Sequence, residues 1–311
     1  MAVVIGVDAG GTGMRAVAVD HGSEGEAVLG SADGPAGNAL SVPPDQLQAR
    51  LTACVAACLE SAGARPEEVG AVVAGLAGVR AAPHAADTVR AAVAAAGMAC
   101  PVGVCSDVEV AFAGGSAEPD GVVLIAGTGA SAARIRGFTT VATADGAGWL
   151  LGDDGSGFWI ARQALHAVLA SLDGRGPRTE LAGALCAELG TRPVTCDVVA
   201  AAMAVPPPAL ARLAPRVLRV AEAGDEVAHD IVQGAVQHLA ATATALGPRP
   251  DQPLVLAGGL IGAGGPLKSR VTAALSPSGR PVVVAVDTRQ GAAVGAARLA
   301  AMALAENKFC H

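Results

Sequence analysis

The chain contains very little lysine and few aromatic side chains. Its 311 residues include no tyrosine, two tryptophans and four phenylalanines, and the only lysines are Lys268 and Lys308. A P-loop of the form GxxxxGK[ST] needs a lysine beside its glycines, and no such segment occurs in the chain. Hydrophobic residues nevertheless make up 52% of the sequence, so the core must be built mainly from alanine, valine and leucine.

Basic residues are outnumbered, and the cysteines follow no recognisable framework. The formal net charge of −7 and the isoelectric point near 5.3 argue against nucleic-acid binding as the main role. Seven cysteines, an odd number, fit a reducing compartment better than a disulfide scaffold. Cys54 and Cys58 lie four residues apart on an amphipathic helical pattern with Leu51 and Val55, so core packing is favoured over metal binding.

Signals for export or membrane insertion are missing from the sequence. The N-terminal apolar run from Ala2 to Val7 is too short for a membrane span and lacks the basic flank of a signal peptide. Arg, Asp, His or Pro residues interrupt the alanine-rich stretches. We therefore expect a cytoplasmic protein that has neither a nucleic-acid nor a membrane partner.

Two Gly-Thr-Gly triplets follow apolar segments. The first is Gly11–Gly13 in VVIGVDAGGTGMRAVAVD, and the second is Gly127–Gly129 in GVVLIAGTGASAARIRG. Each predicts a strand, a tight turn and a strand, with glycines that tolerate positive φ. The backbone N–H groups of such turns can form a concave site for phosphate. Two simple hairpins are the alternative, but the repetition favours a duplicated architecture that binds one polyphosphate from both sides.

Asp8 lies at the end of the first predicted strand, directly before the first turn. A carboxylate beside a phosphate loop is typical of a site where Mg²⁺ lies between the two, usually through retained water. Capping of the turn by the Asp8 side chain is the alternative. We predict Asp8 as a magnesium ligand that acts through water.

The order of predicted elements indicates an α/β fold in two similar lobes. Three strands open each lobe, at residues 3–31 and 121–144, and helices and strands follow. The turn-rich segment GGSAEPDG separates the two repeated patterns. We therefore predict a first lobe at residues 1–116 and a larger second lobe at 117–311, with a final helix at about 290–305 that can pack back on the first lobe.

Asp107 follows an apolar strand and begins a short helix, a place where ligands collect in α/β sheets. Phosphoryl transfer needs a carboxylate that orients the attacking hydroxyl and accepts its proton. Asp107 is therefore the candidate general base, and a helix N-cap is the alternative.

Three further places carry polar or glycine residues suited to binding. Asp153 and Asp154 lie in a glycine-flanked loop of the segment 145–163, where paired carboxylates suit recognition of several hydroxyls of a neutral polar ligand. Asp154 also suits the start of a helix. Asn38 lies on a Gly/Pro-flanked loop, where its amide can bind a hydroxyl or serve as a turn residue. Gly258 and Gly259 follow an apolar strand and leave room for an adenine, or form a simple turn.

Together these motifs resemble the BadF/BadG/BcrA/BcrD-type branch of the sugar kinase/Hsp70/actin superfamily, and within it the N-acetylglucosamine kinases. The motifs occur in the family's order between residues 3 and 300: GVDAGGTGMR and IAGTGAS are similar to the two phosphate motifs, SDVEVAFAGG and GAAVGAARLA to the two connecting motifs, LGDDGSGFWIARQAL to the sugar kinase signature, and LAGGLIGAGGPL to the adenosine motif.

The resemblance implies two ribonuclease-H-like lobes of the actin-like ATPase fold, with a central cleft where ATP and sugar meet. It implies transfer of the γ-phosphate of ATP to the 6-hydroxyl of an amino sugar, most naturally N-acetylglucosamine. ATP and Mg²⁺ are then the cofactors, and a homodimer is expected.

The resemblance also assigns roles to individual positions. Asp107 becomes the base and a substrate contact, Asp8 the carboxylate near Mg²⁺, and the remaining residues fall into two sets. The expected ATP and phosphate contacts are Gly10, Gly11, Thr12, Gly13, Arg15, Gly127, Thr128, Gly129, Gly258 and Gly259, and the expected sugar contacts are Asn38, Gly148 and Asp153.

Three positions depart from the family pattern. Gly13 stands where many relatives carry lysine, so one phosphate contact is missing or is supplied by Arg15. Asp154 replaces the glutamate of the family's GDEGS. The family's GGWGH is here the segment 146–150, GAGWL, which displaces the aromatic residue and leaves glucosamine or another amino sugar open as the substrate.

Two other functions were weighed against the kinase. An ATPase activator of a radical dehydratase holds an iron–sulfur cluster between two subunits through cysteines, but only Cys105 lies at a suitable place in the sequence. A sugar-sensing regulator is disfavoured because no helix-turn-helix pattern precedes the first strand and because Asp107 is present.

Overall fold

The computed structural model describes residues 3–22, 25–276, 283–285 and 291–306. Within these residues ten strands form two five-stranded sheets. The strands are β1 Val3–Ala9, β2 Gly13–Gly22, β3 Gly25–Pro35, β4 Val69–Leu76, β5 Val102–Ser106, β6 Gly121–Ala126, β7 Ala130–Arg136, β8 Thr139–Asp145, β9 Leu254–Ala257 and β10 Val283–Ala285.

Eleven α-helices connect or flank these strands in the part of the chain that the structure describes. They are α1 Pro44–Ala62, α2 Ala85–Ala95, α3 Asp107–Gly115, α4 Gly148–Leu151, α5 Gly157–Leu172, α6 Leu181–Leu189, α7 Thr195–Met203, α8 Ala214–Glu222, α9 Glu226–Ala245, α10 Lys268–Leu275 and α11 Gly291–Ala305. Helix α3 continues to Gly115, two residues into the segment predicted as a turn.

The two sheets share one strand order. The first sheet runs β3-β2-β1-β4-β5, and the second runs β8-β7-β6-β9-β10 when read in the same sense. In each, three consecutive strands lie side by side and two later strands extend the sheet from the first of them. Strand β1 is antiparallel to β2 and parallel to β4, and β4 is parallel to β5. The predicted α/β class with two similar halves is confirmed.

The first sheet has a hydrophobic core on each face. Successive side chains of a strand point to opposite faces, and the buried residues of β1 divide accordingly. Ile5 and Val7 pack with helices α1 and α2, whereas Val4 packs with α11. Cys54 and Cys58 are buried in the α1 core, as predicted, and α1 ends at Gly63 with φ 63°.

Glycines allow helices α3 and α11 to approach this sheet and each other very closely. The position that a Cβ would take on Gly6 lies 2.0 Å from the backbone oxygen of Ala293 in α11. The Cβ position of Gly295 in α11 lies equally close, 2.0 Å, to the backbone oxygen of Val110 in α3. Any side chain at these glycines would push the elements apart.

The chain divides into two compact units. Unit 1 comprises Met1–Val123, Ile135–Val141 and Val286–His311, and unit 2 comprises Leu124–Arg134 and Ala142–Ala285. Helix α11 packs on α3, β1 and β4 within unit 1. The lobe boundary between residues 116 and 117 remains a prediction.

Among the described residues no single helix is both long and apolar enough to cross a membrane. The segments Thr195–Met203 and Pro207–Glu222 meet that length and composition test only as a pair, with a bend of 119° between them.

We predict opposite effects of alanine at two helical glycines. Gly295→Ala should destabilise the protein by about 1–3 kcal/mol, because the new methyl group overpacks the contact between α11 and α3. Gly183→Ala is the matched control: Gly183 lies in the first turn of α6 with no atom within 4 Å of its Cβ position, so alanine there should stabilise the helix by up to about 1 kcal/mol. The midpoints of urea unfolding measure both effects, and equal midpoints for the two variants would contradict the packing of α11 on α3.

Candidate active site

Asp8 and Asp107 lie at the same edge of the first sheet. Strands β1, β4 and β5 are parallel, so their carboxyl ends meet at one edge, where ligands collect in α/β folds. Asp8 pairs in register with Gly75, which pairs with Cys105. Asp107 follows two residues later, as the first residue of α3. The structure thus brings together the two carboxylates that the sequence selected for catalysis and metal binding.

The N-terminus of α3 fixes the Asp107 carboxylate. Its Oδ1 atom accepts hydrogen bonds from the hydroxyl of buried Ser106 at 3.0 Å and from the backbone N–H of Val108 at 3.1 Å. Burial raises the pKa of Asp107, and the charge of Glu109 adds to this, while the two hydrogen bonds act in the opposite direction. The result is a carboxyl group that is held in place and is more basic than a solvent-exposed aspartate.

Asp8 is a strongly perturbed carboxyl group at the same edge of the sheet. Burial raises its pKa to about 7, with a further contribution from the negative charge of Asp107. Some of its surface still reaches solvent. Two neighbouring carboxylates with raised pKa values favour binding of a proton or a cation at this edge.

The first phosphate turn and the Asn38 loop are joined by backbone hydrogen bonds. Within the turn, the N–H of Gly10 donates to the oxygen of Gly13 at 2.9 Å. The N–H of Gly37 donates to the oxygen of Gly10, also at 2.9 Å. Ala39 donates to the oxygen of Ala77, just beyond β4. The Asn38 loop therefore lies at the same sheet edge as Asp8 and Asp107.

The Asn38 side chain already has one role in the loop. Its Oδ1 atom accepts the backbone N–H of Leu40 at 2.8 Å, which is the turn geometry of an asparagine side chain. This bond uses only the amide oxygen, so it does not involve the two donor hydrogens of the amide nitrogen. Asn38 combines the turn role with a donor suited to a hydroxyl.

Arg15 lies on the face of the sheet that carries Asp8. The two residues are register partners across β1 and β2, and Arg15 pairs next with Asp33 on β3. The Arg15 guanidinium binds the Asp33 carboxylate in a two-point ion pair, with Nε 2.6 Å from Oδ1. A phosphate contact by Arg15 remains a prediction.

The second phosphate turn is supported by the N-terminus of α5. The N–H of Gly157 donates to the oxygen of Gly127 at 2.8 Å, and the N–H of Phe158 donates to the oxygen of Thr128 at 3.2 Å. Ser156, which is fully buried, caps the helix by accepting the N–H of Trp159. The turn is therefore fixed by the main chain of a sixteen-residue helix.

The turn at Gly258 and Gly259 lies against this second phosphate turn. Gly258 has φ 89°, and its Cβ position lies 2.4 Å from the oxygen of Ala126. Both the backbone conformation and the lack of space therefore exclude a side chain there. The Cβ position of Gly127 is 3.9 Å from the nitrogen of Gly259. Nothing lies within 4 Å of the Cβ position of Gly259, which leaves open space beside the turn.

The glycines of the two triplets serve a different purpose from the predicted one. The sequence pattern predicted glycines that tolerate a positive φ, and none of Gly11, Gly13, Gly127 and Gly129 uses that freedom. At Gly129 the reason is space: its Cβ position lies 2.8 Å from Oδ2 of Asp153. Backbone hydrogen bonds close the two turns, from the N–H of Gly10 to the oxygen of Gly13 and from the N–H of Gly127 to the oxygen of Gly129, both at 2.9 Å.

Asp153 lies on the second phosphate turn. Its Oδ1 atom accepts the N–H of Ala130 at 3.3 Å, and burial raises its pKa, with additional repulsion from Asp145 and Asp154. Gly148 begins the short helix α4 with φ 81°. The neighbouring Trp149 is 42% exposed and meets Phe158 edge-on at 5.7 Å between ring centres.

Two carboxylates at the candidate site were not predicted from the sequence. Glu109 accepts the N–H of Ser106 at 2.9 Å and that of Thr140 at 2.8 Å, and so braces the start of α3. The spacing of Ser106 and Glu109 is that of a capping box, which is a readable signal. Asp145 accepts two N–H groups of the Asp153 loop, and its sequence offers no comparable pattern.

We predict a pH-dependent stabilisation by Asp8→Asn in nucleotide-free protein kept in EDTA. The native pKa of about 7 exceeds the ordinary value of 3.8, so between these values the native state binds more protons than the unfolded state. Stability therefore falls as pH rises through this window, and asparagine removes the loss. The variant should gain about 2 °C or more in Tm at pH 8 and clearly less at pH 5, because only part of the window lies below pH 5. Asp45→Asn, on the exposed first turn of α1, is the control, and an equal gain at both pH values would refute the assignment.

Comparison with known proteins places these features in a family. The sequence matches the BadF/BadG/BcrA/BcrD ATPase family over residues 5–300, which confirms the predicted resemblance. The N-acetylmuramic acid/N-acetylglucosamine kinase of Clostridium acetobutylicum is 31% identical over 188 residues, which cover 59% of this chain and 58% of that protein. The chain thus spans just under three fifths of that curated relative.

Solved structures agree over nearly the whole chain. A candidate N-acetylglucosamine kinase from Chromobacterium violaceum is 26% identical with a TM-score of 0.74, over 95% of this chain and 99% of that one. A ROK family glucokinase from Streptomyces griseus, solved with glucose and AMPPNP, has 22% identity and a TM-score of 0.59, over 96% and 99% of the two chains. The second likeness shows the fold alone, and the predicted fold class is confirmed.

Proposed function

We propose that this chain, which belongs to the BadF/BadG/BcrA/BcrD ATPase family, is a sugar kinase that transfers the γ-phosphate of ATP to the 6-hydroxyl of an amino sugar. N-acetylglucosamine is the leading substrate, because the N-acetylglucosamine activity is named for both the Clostridium relative and the Chromobacterium structure. Glucosamine is the alternative, since the aromatic residue of the segment 146–150 is displaced.

The observation that carries this proposal is the position of Asp107. Its Oδ1 atom is engaged by Ser106 and Val108, which leaves Oδ2 for a substrate hydroxyl. A base with a raised pKa accepts a proton near neutral pH more effectively than an ordinary carboxylate. Its place beside the first phosphate turn suits transfer of a phosphoryl group to that hydroxyl.

The binding roles follow the same logic in each unit. In unit 1, the first phosphate turn (residues 10–13) offers backbone N–H groups to phosphate, and Asn38 offers its amide to the sugar. In unit 2, the turn at 127–129 offers a second set of N–H groups, and the open space at Gly259 suits the nucleoside. Asp153 supplies a carboxylate for sugar hydroxyls.

The chemistry of unit 1 fits a magnesium ion. No group of three metal-ligating side chains exists among the described residues, so a dedicated protein cage is absent there. Mg²⁺ commonly binds through one carboxylate, water and substrate phosphates, and Asp8 beside the first phosphate turn matches that pattern. The ion would supply positive charge to the phosphates of ATP, and the same charge would favour the ionised form of the buried Asp8 carboxyl group.

A coupled assay of ADP release tests the proposal directly. Wild-type protein should release ADP with N-acetylglucosamine far faster than without sugar. Glucosamine, N-acetylmannosamine, N-acetylmuramic acid and glucose rank the specificity, and 6-deoxy-N-acetylglucosamine should give no turnover because it lacks the accepting hydroxyl. If no sugar in this set stimulates ADP release, the proposed function is wrong.

We predict that Asp107→Asn lowers kcat by about 10²–10⁴-fold, because the amide cannot accept the proton of the hydroxyl. ATP binding, measured by calorimetry, should stay within about twofold of wild type, since the loss concerns the chemical step. Asp87→Asn, an exposed position on the first turn of α2, is the control. A variant at position 107 with more than a tenth of the wild-type kcat would remove Asp107 from the role of base.

We predict that Asp8→Asn shifts the magnesium dependence of the reaction. The Mg²⁺ concentration at half-maximal rate should rise by about tenfold or more, and kcat should fall, because a carboxylate near the metal is lost. The KM for the sugar should change little. An unchanged Mg²⁺ midpoint together with an unchanged kcat would contradict the assignment of Asp8.

A further inference from the structure

The carboxylate of Asp145 holds the main chain of the Asp153 loop. Its Oδ1 atom accepts the backbone N–H of Asp153 at 2.7 Å, and its Oδ2 atom accepts the N–H of Asp154 at 2.8 Å. Two consecutive N–H groups are thus received by the two oxygens of one side chain. Asp145 itself is exposed at the end of β8, so burial of its side chain does not explain its presence.

The residue at position 152 makes room for this contact. A Cβ on Gly152 would lie 2.2 Å from Oδ1 of Asp145. Only glycine leaves the carboxylate space to reach the two N–H groups. The GDD sequence at 152–154 is therefore suited to Asp145 in two ways. The glycine leaves space for its carboxylate, and the backbone N–H groups of the next two residues donate to it.

The loop is held in a backbone conformation that its residues do not prefer. Asp145 and Asp153 both have φ 58°, in the left-handed region that is unfavourable for residues with a side chain. Such a conformation persists when surrounding contacts enforce it. The Oδ1 atom of Asp145 accepts the N–H of Asp153, and the carbonyl oxygen of Asp153 accepts the N–H of Ser156 at 3.1 Å, so the backbone of Asp153 is held on both sides.

This conformation directs the Asp153 carboxylate onto the second phosphate turn. Its Oδ1 atom lies 3.3 Å from the nitrogen of Ala130, and its Oδ2 atom lies where a side chain on Gly129 would have to go. The backbone conformation of Asp153 therefore determines where its own carboxylate lies, and Asp145 acts on that backbone.

A neutral acceptor would hold the loop with less electrostatic cost. The charge of Asp145 repels that of Asp153 and contributes to the raised pKa of Asp153. Asparagine would avoid the repulsion, but it offers one acceptor oxygen instead of two. The use of aspartate indicates that both N–H groups must be received.

We infer that Asp145 is a positioning residue for the sugar-binding carboxylate: it fixes the backbone of Asp153 and so aligns the Asp153 carboxylate with the second phosphate turn. The kinetic part of this inference rests on the proposed kinase function. The structural part, which is the protection of the two N–H groups, is independent of the proposed kinase function.

A double-mutant cycle tests the kinetic part. Asp145→Ala should raise the KM for N-acetylglucosamine by about tenfold or more, and Asp145→Asn, which keeps one acceptor, should raise it less. In an Asp153→Ala background, the further change Asp145→Ala should alter the sugar KM by less than about twofold, because a residue that acts through Asp153 has nothing left to align. Independent losses that add in the double variant would overturn the inference.

A matched control separates this role from ordinary turn capping. Asp120 also holds a turn, since its Oδ1 atom accepts the N–H of Gly137 at 2.9 Å in unit 1. Asp120→Ala should leave the sugar KM unchanged. An equal rise in both single variants would mean that Asp145 acts through general stability, and the inference would fail.

Hydrogen exchange tests the structural part whether or not the protein phosphorylates a sugar. The amides of Asp153 and Asp154 should exchange at least about tenfold faster in Asp145→Ala than in wild type, while the α5 amides keep their rates. Unchanged exchange at both amides overturns the inference even in an active kinase. If no sugar is phosphorylated but exchange accelerates, the proposed function fails and the structural role of Asp145 stands. Asp145→Asn provides the same readout at one amide should the alanine variant fail to fold.

Discussion

The position of the candidate base depends on how closely helix α3 approaches the first sheet. The Cβ position of Gly75 lies 2.3 Å from a side-chain carbon of Val110, so Val110 fills the space that a larger residue on β4 would need. From the other side, Gly295 brings α11 against the backbone of Val110. In a chain with 2% aromatic residues, such backbone approach replaces bulky side chains as the source of close packing. These contacts fix the position of helix α3, and they therefore also fix the position of Asp107, its first residue.

The two halves share a strand order but support their phosphate turns differently. In unit 1 the turn is braced by a loop, through the bond from Gly37 to Gly10, and carboxylates lie at the neighbouring strand ends. In unit 2 it is braced by the first N–H groups of α5 and by the glycine turn at 258–259. Acidic groups beside a phosphate need a cation, whereas backbone N–H groups do not. The duplicated frame thus offers two chemically distinct surfaces.

Local signals were readable from the sequence, and distant contacts were not. The bounds of helix α1 follow from local signals, because a proline opens it and Gly63 ends it in the left-handed conformation. The place of Asp107 followed from the strand before it. The purpose of Gly129 was misread, because sequence does not distinguish a glycine needed for its φ from one that leaves space for Asp153. Asp145 was missed because its partners lie eight and nine residues away across a loop.

The glycine at position 13, where many relatives carry lysine, directs attention to Arg15. Its ion pair with Asp33 is solvent-accessible, since the Asp33 side chain is 69% exposed, and exposed pairs contribute only about 0–1 kcal/mol. A hydrogen bond to a charged group such as phosphate contributes about 1.5–3 kcal/mol. The two-point geometry of the Arg15–Asp33 pair makes it stronger than an ordinary exposed pair, so a phosphate contact by Arg15 stays a prediction. Because Arg15 lies beside Asp8 in register, it places positive charge near the acidic edge, where a nucleotide would add negative charge.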